Sequence, residues 1–141
     1  MQFLLAHGCN INHTNGAGRT ALIEAAVEGH KEAVTVLLRE EAIDVNIVDP
    51  RGRSALLCAV IWGQTGVIQT LLEKKGIDIN QVDSGGTSAL LRAAEDGKAQ
   101  IVQMLLEKKR IDINQVDSQA RSALLYAAMR GHTGVVQALL E

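Results

Sequence analysis

The sequence predicts an all-α repeat solenoid of short helix–turn–helix units joined by β-hairpin loops. The first observation is self-similarity: residues 71–84 read LLEKKGIDINQVDS and residues 105–118 read LLEKKRIDINQVDS, identical but for Gly76 against Arg110. The second is that the same 34-residue step links Thr20, Ser54, Ser88 and Ser122, and also Asn12, Asn46, Asn80 and Asn114. A fixed period of roughly 20–50 residues marks stacked supersecondary units, none of which can bury its apolar face alone. The third is composition. With one Phe, one Trp and one Tyr in 141 residues, the core must be built of Ala, Leu, Val and Ile, which suits thin helices in close layers.

One unit, read from Asp83, justifies each element. In DSGG the Asp side chain can bond backbone two residues on, and Gly86 can take a positive φ without a Cβ clash. Ser88 fits a helix N-cap. ALLRAAED follows as a first helix, which Gly97 stops. KAQIVQMLLEKK is a second helix whose Ile101, Val102, Leu105 and Leu106 form one apolar stripe. IDINQVDS alternates apolar and polar residues, the period of an extended arm leading to the next turn. Neither helix is long enough to stand alone.

The repeat boundaries fall at 1–14 (a partial unit), 15–48, 49–82, 83–116 and 117–141, the last without its closing loop. Leu4 and Leu5 stand where Leu37–Leu38, Leu71–Leu72 and Leu105–Leu106 stand later. The step from Leu5 to Leu38 is one residue short, placing an insertion in the loop after the leucine pair, where insertions cost least. Both ends would show apolar faces that repeat arrays normally cover with polar caps. The expectation is a piece of a longer array whose uncapped ends can stack end to end.

Composition excludes several classes. A net charge of −2 supplies no basic face, which argues against nucleic acid as a partner. Cys9 and Cys58 fall at different phases of the repeat and make neither a disulfide framework nor a metal spacing. They read as reduced thiols of an intracellular protein, cytoplasmic or nuclear. No apolar run reaches the roughly 18 residues of a spanning helix, and MQFLLAHGCN lacks the features of a secretory signal.

The residues now carry a resemblance. GRTALIEAAVEGH from Gly18 to His30, with the leucine pair at Leu37 and DVN at Asp44, resembles the ankyrin repeat pattern D-x-x-G-x-T-P-L-H-x-A-A-x-x-G-H. DPRGRSALLCAVIWG, DSGGTSALLRAAEDG and DSQARSALLYAAMRGH repeat the likeness over the whole chain. Departures are visible. The family's proline is Ala21, Ala55, Ala89 and Ala123, losing a preset φ. Its histidine is Ile23, Leu57, Leu91 and Leu125, losing a polar tie between neighbours. Ala120 replaces the turn glycine, so the last turn either keeps its shape under strain or takes another. These changes lower the expected stability and leave the fold in place.

No chemistry-bearing constellation stands up. Residues 16–21 fit G-x-G-x-x-A, but that fingerprint needs a buried strand before it and INHTN is none. Glu24 with Glu28, and Glu95 with Asp96, are carboxylate neighbours on an open face, where solvation leaves them ordinary. His30 and His132 share a corner with Gln64 and Lys98, which speaks against metal ligation. Ser54, Ser88 and Ser122 already have a capping role. Asn46, Asn80 and Asn114 match the asparagine hydroxylated in some ankyrin proteins; the structural reading is a bond from each side chain to the hairpin backbone. No catalytic residue, metal or cofactor is expected.

What remains is surface. The resemblance implies that a protein partner is gripped by the hairpin tips and the concave face of the first helices. Carried over by position, the tips supply Arg19, Arg51, Arg53 and Arg121, and the helices supply Glu28, Ile61, Trp62, Arg92, Glu95, Asp96, Tyr126, Met129 and Arg130. Here the repeats stop resembling one another, as expected if the stack is structural and the groove selects a ligand. The expected function is a non-enzymatic protein-interaction module or scaffold. The alternatives are a sensor of a phosphate-bearing ligand along Arg19, Arg53 and Arg121, and a spacer or regulatory part of a larger protein. Trp62 is expected to anchor the partner, with Ile61, Tyr126 and Met129 extending an apolar floor.

Overall fold

In the computed structural model, which describes residues 7–141, eight helices and no strand among the described residues make up an all-α repeat fold of the predicted class. Leu4 and Leu5 lie outside the described residues. The chain divides into two compact units, Met1–Ile77 and Asp78–Glu141. The first holds α1 (Ala21–Glu28), α2 (Lys31–Leu38), α3 (Ala55–Ile61) and α4 (Thr65–Leu72); the second holds α5 (Ala89–Glu95), α6 (Ala99–Leu106), α7 (Ala123–Arg130) and α8 (Thr133–Leu140).

The predicted caps are in place. The hydroxyls of Thr20, Ser54, Ser88 and Ser122 each accept the backbone N–H three residues on at 3.2 Å. This satisfies a donor the first turn leaves free and offsets the missing proline. Gly29, Gly63, Gly97 and Gly131 take φ between 69° and 76°, ending each first helix in the left-handed region. The second helix of the third repeat stops earlier than KAQIVQMLLEKK suggests. In α6 the chain leaves the helix at Glu107, so the lysines of EKK lie in the loop.

In the first unit α1 packs on α2 and α3, and α4 on α2 and α3; in the second α5 packs on α6 and α7, and α8 on α6 and α7. Leu22, Ile23, Leu56, Leu57, Leu90 and Leu91 are fully buried, so the apolar residues standing in place of the family histidine fill core volume at three of four positions. Leu125 is the exception, 44% exposed.

The hairpins are tight, closed by single antiparallel bridges Val48–Ser54 and Val116–Ser122. One expectation about the loops is corrected. The arm IDINQVDS is not straight: Gln81 N–H bonds the Asp78 carbonyl at 3.4 Å, closing a turn around the buried Ile79. One inward side chain flanked by solvated polar ones gives the same alternation as a strand, which is why the period misled.

The fourth hairpin keeps the geometry of its sisters. Ala120 has φ 62°, close to Gly18, Gly52 and Gly86 at 76–80°. Its N–H bonds the Asp117 carbonyl at 2.9 Å as theirs bond Asn15, Asp49 and Asp83. A left-handed alanine costs roughly 1–2 kcal/mol, while glycine there costs about 0.4–1 kcal/mol through the freer unfolded chain. Ala120→Gly is therefore expected to stabilise by about 0.5–1 kcal/mol in urea unfolding. A destabilised variant would mean that the alanine methyl makes contacts worth more than the strain.

Candidate functional site

The hairpin tips are built around one carboxylate or amide each. In the first unit Asn15 Oδ1 accepts from the N–H groups of Ala17 and Arg19 at 2.9 and 3.0 Å. Asp49 Oδ1 accepts from those of Arg51 and Arg53, both at 2.9 Å. Asp49 is 4% exposed, and its second oxygen holds Arg53 Nε at 2.9 Å. Burial pushes this carboxyl up. The backbone donors of Arg53 and Arg51 and the Arg53 guanidinium outweigh it, so the net shift is downward and Asp49 stays charged.

Arg19, Arg51 and Arg53 come together with Pro50 along a groove between the two tips. They are not equivalent. Arg19 pairs with Glu24 at 3.1 Å and Arg53 with Asp49, whereas Arg51 is exposed at the tip. On the helix face Glu28 is exposed and Ile61 half-buried. Trp62 caps α3 and is 59% exposed, so it lies on the surface and fills no core.

In the second unit the helix-face residues hold one another. Arg92 pairs with Asp96 at 3.1 Å, Arg130 with Glu95 at 3.0 Å, and Lys98 reaches Asp96 at 3.8 Å. Such solvated pairs contribute little to stability. Met129 is 59% exposed. Tyr126 is the correction: it is 3% exposed and cannot line a floor for a partner. Its hydroxyl donates to Asp117 Oδ2, and Arg121 lies 4.8 Å over its ring while bonding the same oxygen at 3.0 Å. The expectation that Arg121 offers a ready cation is weakened likewise.

The Tyr126 bond holds Asp117 down at about 2, helped by the N–H groups of Arg121 and Gln119. Burial, then the same bond, pushes Tyr126 up to about 12. As the only tyrosine, Tyr126 can be titrated alone by phenolate absorbance. The midpoint is expected near 12 in the folded chain and about 10 when unfolded. Because the folded value is raised, the stabilisation is complete below about pH 10 and lost as pH rises through 12. Asp117 has the opposite sign: its contribution holds above about pH 4 and fades as pH falls towards 2. A midpoint near 10 in a chain still folded would show the Tyr126–Asp117 bond to be absent in solution.

The asparagines do something else than expected. Asn46 Nδ2 donates to the Gly76 carbonyl at 2.9 Å and Asn80 Nδ2 to that of Arg110 at 2.7 Å. They reach the loop after the following second helix, not the hairpin. The corner residues also tie repeats together: Gln64 Nε2 donates to Val27 O at 2.9 Å, and His132 Nε2 lies 3.0 Å from Glu95 O. What the sequence reading missed was the aspartate–arginine pair four residues apart in DPRGR and DSQAR, a spacing visible in the letters.

Among the described residues no group of three or more His, Cys, Asp or Glu side chains could hold a metal ion. No described helix is long and apolar enough to cross a membrane. Cys58 is buried, and desolvation pushes its thiol up to about 11, which leaves it unreactive.

A family model described as ankyrin repeats (3 copies) matches residues 1–83 and 77–141. The crystal structure of EF0377, an ankyrin repeat protein, is similar with a TM-score of 0.88 and 27% identity, covering 95% of this chain and 69% of that one. No curated protein matches the chain.

Proposed function

Because the chain belongs to the ankyrin repeat family, whose repeats generally serve as protein-interaction modules, we propose that it is an intracellular scaffold that binds a protein partner. The fold is typically non-enzymatic, and the reading assigns the chain no catalysis. The carrying observation is Trp62, 59% exposed at the end of α3 while the framework around it is buried. The slot holds Glu28, Asp96 and Arg130 in the other repeats, so folding does not demand an apolar residue there. Large aromatic side chains dominate binding energy when a partner covers them.

Arg51 supplies an exposed cation in the same unit. The partner is then a segment with an apolar anchor and acidic flanks. Arg19, Arg53 and Arg121 each already hold a carboxylate, and this favours a protein partner over a phosphate sensor. A phage-displayed peptide library panned on the chain tests the reading. Enrichment of apolar anchors beside Asp and Glu supports it; a library without enrichment favours a spacer.

A further inference from the structure

Asn15 differs from its counterparts in the other hairpins. It stands where Asp49, Asp83 and Asp117 stand, and Gly16, Arg19 and Glu24 stand where Pro50, Arg53 and Cys58 stand. The turn is held in the same way. Asn15 Oδ1 accepts the N–H groups of Ala17 and Arg19 at 2.9 and 3.0 Å, as Asp83 Oδ1 accepts those of Gly85 and Thr87 at 2.9 Å. The ion pair is not. Asp49 and Asp117 hold the arginine four residues on through its Nε, at 2.9 and 3.0 Å, with their second oxygen. Asn15 has an amide nitrogen instead, which donates to Glu24 Oε2 at 3.1 Å, and Arg19 pairs through Nη1 with Glu24 Oε1 at 3.1 Å.

Glycine follows Asn15, and a side-chain amide is most open to attack by the next backbone nitrogen when no Cβ shields that nitrogen. Gly16 suits this chemistry. A Cβ built on it would meet nothing within 4 Å, and among the described residues no hydrogen bond holds its N–H. Asn10, Asn12, Asn46, Asn80 and Asn114 precede Ile11, His13, Ile47, Gln81 and Gln115, whose side chains hinder the same attack.

We propose that Asn15 is a site of spontaneous deamidation, which converts the first hairpin to the aspartate form of its sisters. The Gly16 nitrogen gives its proton to hydroxide and bonds to Asn15 Cγ. Charge gathers on Oδ1, where the N–H groups of Ala17 and Arg19 stabilise it. The Cγ–Nδ2 bond breaks, the nitrogen takes a proton from water and leaves as ammonia, and a succinimide ring remains. Water then opens the ring. Attack at Cγ breaks the new bond to the Gly16 nitrogen, restoring the main chain with a carboxylate at position 15. Attack at the backbone carbonyl carbon gives isoaspartate. Water is the co-reactant in both cases, and the sum is amide plus water to carboxylate plus ammonium.

The new carboxylate cannot donate to Glu24 and repels it. Arg19 then turns to position 15 through Nε, as Arg53 and Arg121 turn to Asp49 and Asp117, and Glu24 is released. The first tip gains a negative charge irreversibly. This inference does not depend on the surface around Trp62.

Peptide mapping by mass spectrometry of the full chain, aged in mildly alkaline buffer, tests this. The mass gain of an amide turned acid is expected at Asn15 while the other asparagines stay intact and circular dichroism shows the chain folded. A protease that cuts before aspartate and not before isoaspartate is expected to cut part of the product at position 15. Gly16→Pro removes the attacking N–H at a place where the second hairpin already carries Pro50, and is expected to abolish the gain. Should that variant fail to fold, Gly16→Val, which shields the nitrogen, is expected to slow it. In Asn15→Asp the Arg19 Nε–H signal in NMR is expected to become as protected from exchange as those of Arg53 and Arg121. An Asn15 that lasts as long as the other asparagines overturns the proposal, as does a folded Gly16 variant that converts at the wild-type rate. A product that is isoaspartate alone, or an Arg19 signal unchanged in Asn15→Asp, overturns the transfer of the ion pair.

Discussion

Gly86→Ala is expected to destabilise the second unit by about 2–3 kcal/mol in urea unfolding. Gly86 has φ 80°, where a side chain costs roughly 1–2 kcal/mol. The added Cβ would also lie 2.9 Å from the Ser118 nitrogen and 3.3 Å from Asp117 Cα and its carbonyl carbon. Those atoms are backbone and cannot swing aside. Ser118 N–H is moreover bonded to the Gly85 carbonyl at 3.3 Å, so moving one tip loosens that bond. Crowding of this kind costs roughly 1–3 kcal/mol, while the stiffer unfolded chain returns about 0.4–1 kcal/mol. Ala120 shows that positive φ by itself is survivable, so the excess at Gly86 measures the close approach of the tips. A loss below about 1 kcal/mol would mean that the fourth hairpin shifts freely and the tips are not in register.

The same pair shows what the letters carried. Asp, Gly and Ser at fixed offsets dictated turn, left-handed residue and cap, because each acts on backbone within four residues. Those local rules need no knowledge of the fold, and every one of them held. Tyr126 and Trp62 show where such rules stop. Both stand in phase with variable, mostly polar positions, yet one is buried and the other exposed. Tyr126 turns inward because its hydroxyl finds Asp117 nine residues back and Arg121 covers its ring. Neither contact follows from a helix or turn period. The arm IDINQVDS failed for another reason: a turn with one anchored side chain and a strand with one buried face write the same alternation. Leu124 and Leu125 are 40% and 44% exposed where Leu56–Leu57 and Leu90–Leu91 are buried, a difference that no local pattern encodes.

Trp62→Ala is expected to weaken partner or selected-peptide binding by about 2 kcal/mol or more, roughly thirtyfold, with thermal stability changed little. The asymmetry follows from the exposure. At 59% exposed the indole has left most of its surface to solvent in the free chain, so truncation removes little packing. Its backbone N–H, bonded to the Cys58 carbonyl at 3.1 Å, is untouched by the change. On binding, the same surface is covered, and a rigid aromatic with two rotatable bonds loses little entropy in being fixed. Trp62→Phe should retain part of the affinity, since it keeps an apolar plate of reduced area. Arg51→Ala should act differently: a modest loss, concentrated in the association rate and shrinking as salt rises, because an exposed charge steers more than it holds. Calorimetry for affinity, stopped flow for rates and thermal melts on all three variants separate these effects. If Trp62→Ala lowers the melting temperature markedly and binds normally once folded, the indole belongs to the framework and the partner lies elsewhere on the chain.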